Sequence, residues 1–131
     1  KVPAGAVSDA VWYFADFLPT VAHLANTRVA VPVDGIDVSA ALLDKTHVIP
    51  ERFLYWESPE GDSKSLRQAV RWKNWKAIRH GHDAELELYD LGNDIGEKHD
   101  VSDTHPEVVA RIQNFLKTAR TASPYWPAPC D

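Results

Sequence analysis

Only two residues, Lys73-Asn74, separate the strand-like run Arg67–Trp72 from the run Trp75–Arg79. Parallel strands need a crossover of a dozen or more residues, so a connection this short predicts a tight antiparallel hairpin. The turn sets the pairing. Trp72 faces Trp75 and Val70 faces Ala77 on one side, while Arg71 meets Lys76 and Ala69 meets Ile78 on the other. Like charges directly opposite each other are unfavourable, so the second side is expected to be wet or to meet an anionic partner.

Two more strands flank the hairpin. Phe53-Leu54-Tyr55-Trp56 is a continuous apolar and aromatic run, which predicts a strand buried on both faces. Ser58 to Ser65 reads as a polar loop, and Gly81-His82-Asp83 turns the chain into a fourth strand, Leu86–Leu91. Thr104-x-x-Glu107 has the form of a capping box with Pro106 in the first turn. Behind it, Val108, Val109, Ile112, Phe115, Leu116 and Ala119 recur at helical spacing as one apolar stripe.

The first half is less regular. Residues 1–15 show no period, and Asp16–Asn26 predicts a short helix capped by Asp16, with Pro19 in its first turn. Residues 27–50 read as loop with a helical turn near Ser39–Leu43, and Ser123–Asp131, with three prolines, reads as an extended tail. The expected fold class is α+β: a four-stranded antiparallel sheet packed against a C-terminal amphipathic helix, preceded by a short helix and irregular segment. The expected division is a connecting segment over 1–50, a subdomain over 51–122 and the tail over 123–131. One helix covers one sheet face. The other face needs a cover from the 16–26 helix or, the favoured reading, from polypeptide outside this chain.

The net charge of −5 and the dispersed acidic residues argue against a nucleic-acid partner. No apolar run approaches the length of a bilayer span, so no membrane partner is expected. Lys64, Arg67, Arg71, Lys73, Lys76 and Arg79 nevertheless form a basic stretch. It reads either as a solvated sheet face or as a surface met by an anionic substrate. The one cysteine, Cys130, can form no internal disulfide and leaves the compartment undetermined. His80-Gly81-His82 lacks the further ligands a metal site needs and reads as exposed turn histidines. Asp90, Asn93, Asp94 and Glu97 miss the calcium-loop pattern and read as a turn. Trp56, Trp72 and Trp75 read as core anchors, or as sugar platforms if one lies at a pocket rim.

Five segments in order carry a resemblance. Asp16-Phe17-Leu18-Pro19-Thr20-Val21-Ala22-His23-Leu24-Ala25 resembles the D-[FL]-L-P-T-[LV]-A-x-L-A helix of the type I sulfatase family, and Asp34-Gly35-Ile36-Asp37-Val38-Ser39 resembles the segment that follows it. Phe53-Leu54-Tyr55-Trp56-Glu57 is similar to the strand that opens that family's C-terminal subdomain. Ala69-Val70-Arg71 with Trp75-Lys76 resembles its A-[VI]-R-x-[GDN]-x-[WY]-K hairpin, and Glu87-Leu88-Tyr89-Asp90-Leu91 with Asp94 and Glu97 resembles the turn before its last helix. The likeness covers roughly residues 10–120. It departs at Ile95, where the family commonly has proline, and around His99–Val101, where it has Asn-Leu.

The resemblance implies the C-terminal subdomain of an alkaline-phosphatase-like hydrolase of sulfate esters. The nucleophile would be a formylglycine made from the cysteine of a Cys-x-[PA]-x-Arg motif, and a calcium ion held by hard oxygens would polarise the sulfate. Cys130 is followed only by Asp131, and no adjacent aspartates occur, so both cofactors are expected on a larger parent, and no catalytic residue or metal ligand is expected on this chain. Alone, the fragment is expected to be inactive. Its implied partners are the N-terminal catalytic domain of the same parent chain and a sulfated carbohydrate or aryl ester, with self-association if expressed alone. Arg67, Arg71, Lys76 and His80 are the candidate substrate-binding residues. Family resemblance favours a periplasmic or secreted protein. A stand-alone α+β binding module and a phosphonate- or phosphodiester-cleaving relative remain the alternatives.

Overall fold

A computed structural model describes residues 2–44, 46–60 and 65–125. The chain divides into two compact units, Lys1–Glu51 and Arg52–Asp131. The tail expected over 123–131 lies, from residue 126 on, outside the described residues, as do positions 61–64 of the expected loop.

In the first unit, a 3-10 turn over Phe14–Asp16 leads into α1, Phe17–Leu24, and α2 follows at Ser39–Leu43. Asp16 is not a side-chain cap for α1. Its fully buried carboxylate accepts the backbone N–H of Tyr13 at 3.0 Å and that of Ile36 at 2.9 Å. One turn on, the buried Thr20 hydroxyl oxygen accepts the Val38 N–H at 3.0 Å, and His23 Nδ1 lies 2.9 Å from Asp37 Oδ2. A polar stripe at i, i+4 and i+7 therefore clasps the loop before α2. The clasp needs a bare backbone at Gly35, because a Cβ there would meet the Ala15 carbonyl oxygen at 1.9 Å. Phe17, Leu18, Val21 and Leu24 stay exposed, so α1 turns its polar stripe inward and its apolar one outward.

The second unit is an antiparallel meander of β1 (Phe53–Glu60), β2 (Ser65–Trp72), β3 (Trp75–His80) and β4 (Leu86–Asp90), followed by α3 (Pro106–Ala119). The hairpin register is the expected one, with Trp72 opposite Trp75 and Arg71 opposite Lys76. Lys73 takes the left-handed backbone, φ 55°, that so short a turn imposes. The strands outrun the expected loop: Ser58, Pro59 and Glu60 pair with Arg67, Leu66 and Ser65. Proline is tolerated there because β1 is an edge strand.

Strand alternation sends Val70, Trp72, Ala77, Leu86 and Leu88 to one face, where they form the core with Val108, Ile112 and Leu116 of α3. Phe53 stacks on Phe115 with ring centroids 4.4 Å apart. Burying a side chain such as Leu88 or Ile112 contributes about 1.5–3 kcal/mol. At the C-terminal end of α3 this face becomes polar. Arg79 Nε donates to Gln68 Oε1 at 3.0 Å, Gln68 Nε2 to the Tyr55 hydroxyl at 2.8 Å, and that hydroxyl to Glu57 at 2.7 Å. Arg120 pairs with Glu57 at 3.2 Å.

The capping box does not form. Pro106 disfavours helical backbone at the residue before it, and His105 adopts φ −131°, ψ 55° and takes the cap position. Thr104 instead closes a 3-10 turn, its hydroxyl donating to the Val101 carbonyl at 2.9 Å. The segment after β4 folds back on it. Leu88 N–H donates to Asp100 Oδ1 at 2.9 Å, and the Leu88 carbonyl accepts from Val101 N–H at 2.8 Å.

Candidate functional site

The face of the sheet opposite the core is built of three cross-strand rows. Ser58, Arg67 and His80 form the first; Trp56, Ala69, Ile78 and Glu87 the second; Leu54, Arg71, Lys76 and Tyr89 the third. All four candidate binding residues lie on this face, as two directly opposed pairs, Arg67 with His80 and Arg71 with Lys76. Exposure rises from the third row, where Leu54 is buried, to the first, where Ser58, Arg67 and His80 are exposed. The face is mixed: Arg67 and His80 on one side and Arg71 and Lys76 on the other flank the row of Trp56, Ala69, Ile78 and Glu87.

The like-charge clash foreseen at Arg71 and Lys76 is resolved within the chain. Glu97, 21 residues on, accepts from Lys76 Nζ through both oxygens, at 2.6 and 2.7 Å. Its backbone sits at φ 52°, a left-handed position that a glutamate adopts at some cost. Arg71 Nε leans back to the Lys73 carbonyl at 3.3 Å. His80 Nε2 lies 3.8 Å from Glu87 Oε2, which also accepts the Tyr89 hydroxyl at 2.9 Å. That bond, helped by burial, raises the Tyr89 pKa to about 12 and keeps it a donor at neutral pH. Lys76 is thus committed to Glu97 through both carboxylate oxygens.

Sequence reasoning did not place Glu87, Tyr89 or Glu97 here. Glu87 and Tyr89 could have been found by extending the hairpin register one strand further. Glu97 carries no local signal. Trp56 is the exposed member of the tryptophans weighed above, at 41%. Trp72 is buried beneath the Arg111 guanidinium, 4.2 Å from its ring centroid, and Trp75 packs on His105 at 4.7 Å.

No three His, Cys, Asp or Glu side chains converge on a metal position among the described residues. The carboxylates at the end of β4 and in the turn after it serve that turn: Asp90 accepts from Gly92 N–H and Asn93 Nδ2, and Asp94 from Lys98 and His99 N–H.

No family model matches the chain. It is 38% identical over 47 residues to an N-acetylgalactosamine-6-O-sulfatase of Bacteroides thetaiotaomicron, covering 36% of this chain and 9% of that protein. It is 29% identical over 94 residues to a sulfatase of Formosa agariphila, covering 63% of this chain and 17% of that protein. A solved structure of a candidate sulfatase from Bacteroides fragilis superposes with a TM-score of 0.70 at 19% identity, over 86% of this chain and 25% of that one. The chain has the fold of a sulfatase C-terminal subdomain. It spans less than a fifth of either curated relative's length. In the second unit, α3 covers one side of the sheet and the rows that carry Arg67, Arg71, Lys76 and His80 occupy the other.

Proposed function

We propose that this chain is the C-terminal part of a sulfatase that hydrolyses sulfate esters of carbohydrates. Formylglycine and calcium would be supplied by an N-terminal catalytic domain of the same parent, and they would provide the nucleophile and the Lewis acid. This part completes the fold and turns the Arg67, Arg71, Lys76 and His80 face toward the sulfated substrate. The reading rests above all on the superposition with a candidate sulfatase over 86% of the chain. The name of the B. thetaiotaomicron relative supports a sulfated amino sugar as the substrate class. The outward apolar stripe of α1 fits a helix meant to be covered by the remainder of such a protein. Left bare, it drives self-association of the 131-residue chain, which light scattering after size exclusion measures.

The decisive experiment recovers the complete gene and assays its product on a chromogenic sulfate ester. Activity is expected in the complete protein, lost on mutating the cysteine of an upstream Cys-x-[PA]-x-Arg motif, and absent from the 131-residue chain. A complete gene with no such motif and no sulfate release overturns the proposal.

A further inference from the structure

We propose that Asp34-Gly35 is a site of spontaneous isoaspartate formation, gated by the α1 clasp, whose product keeps the clasp from closing again. The inference is independent of the sulfatase reading. Asp34-Gly35 is the one Asp-Gly step in the sequence, and Asp34 is exposed at a bend. Among the described residues, no hydrogen bond or ion pair engages its carboxylate or the Gly35 N–H. The Gly35 nitrogen attacks Asp34 Cγ, and a new C–N bond closes a succinimide ring. One carboxyl oxygen leaves as water, taking the amide proton and the acid proton. The reacting atoms are neighbours in the chain, so no encounter from solution is needed, and glycine has no side chain to crowd the nitrogen. Water then adds to one of the two ring carbonyls and breaks its bond to nitrogen. Addition at Cγ restores aspartate. Addition at the main-chain carbonyl leaves isoaspartate, with the chain running through Cγ and one carbon longer.

The clasp begins one residue beyond the reacting amide, at the Ile36 N–H held by Asp16. Gly35 itself lies against the Ala15 carbonyl. Ring closure turns the peptide between Asp34 and Gly35, so these grips must release first, and the rate follows the population of the locally open state. The extra carbon then sits just before Ile36 and moves its N–H out of register with Asp16. Asp37-Val38, three residues on, has the opposite setting. Asp37 Oδ1 accepts the Ser39 N–H at 2.8 Å, Oδ2 lies 2.9 Å from His23 Nδ1, and the Val38 N–H donates to Thr20. Val38 is also β-branched and crowds its own nitrogen. Asp37 is therefore the internal control.

The test incubates the 131-residue chain at neutral pH in heavy-oxygen water. Peptides are then mapped by mass spectrometry with fragmentation that distinguishes isoaspartate from aspartate. Isoaspartate and one heavy oxygen are expected at Asp34 and not at Asp37. Asp34→Glu keeps the charge but needs a larger ring, and it should abolish both signals at that position. Asp16→Ala should speed accumulation at Asp34 by about fivefold or more. Thr20→Val loosens the clasp one turn later and should act in the same direction, so the gating test does not hang on one variant. Amide exchange at Ile36 is expected to be faster in the aged fraction than in the fresh chain. No isoaspartate at Asp34 in the folded chain overturns the site. Rates unchanged in both folded variants overturn the gating. Aged protein with unaltered exchange at Ile36 overturns the loss of the clasp.

Discussion

The Asp16 carboxylate holds the backbone N–H of Ile36 at 2.9 Å, twenty residues along the chain. With Thr20 on Val38 one helical turn later, it makes α1 the template for the loop that precedes α2. Asp16→Ala would deprive two part-buried N–H groups of their acceptor, at about 1 kcal/mol each. Faster amide hydrogen exchange is expected at Tyr13 and Ile36, with Thr20→Val producing the same change at Val38. Unaltered exchange at Ile36 in Asp16→Ala would show that the loop is held by something else.

Gly35→Ala should be among the most damaging single changes in the first unit. The added methyl meets backbone at Ala15 and has no flexible side chain to displace. A loss of about 3 kcal/mol or more is expected in chemical denaturation. A wild-type midpoint would mean that the two backbones are further apart than described.

Lys76 and Glu97, each 29% exposed, form a coupled pair in which the glutamate carries backbone strain. A double-mutant cycle with Lys76→Met and Glu97→Gln should return a coupling of about 1 kcal/mol. Glycine at 97 relieves the strain but loses the carboxylate. Glu97→Gly is therefore expected to be near neutral in the wild type and stabilising by about 1 kcal/mol with Lys76→Met in place. Equal effects in both backgrounds would remove the pair from the account.

Burial works against the Asp100 carboxylate, but N–H donation from Leu88 and Ser102 outweighs it and holds the pKa below its usual value. A folded pKa lying below the unfolded one, about 3.9, contributes stability above that value and loses it as pH falls through the folded pKa. Stability should therefore drop on acidification below about pH 4, and less steeply in Asp100→Asn. Asp37 and Asp94 are shifted in the same direction, so some slope survives in the variant. A gap between wild type and Asp100→Asn that stays constant into acid would contradict this assignment.

The hairpin register was legible from residues 67–79 because a two-residue gap admits almost no alternative pairing, and α3 because Val108, Ile112 and Leu116 repeat at helical spacing. The placement of Arg67, Arg71, Lys76 and His80 on one face follows from the same register. Local patterns failed where a residue serves a distant partner. Asp16 and Thr104 each matched a cap, yet Asp16 reaches Ile36, and the backbone before Pro106 moved the start of α3 by one residue. The partner of Lys76 was illegible because no periodicity connects positions 76 and 97.

The fold-back of Asp100 and Val101 onto Leu88 also bears on how the protein behaves in a crowded cell. Both main-chain groups that the middle of β4 turns outward are already spoken for. A stray polypeptide therefore finds the centre of that border already occupied by the protein's own next turn, which weakens β4 as a template for strand addition.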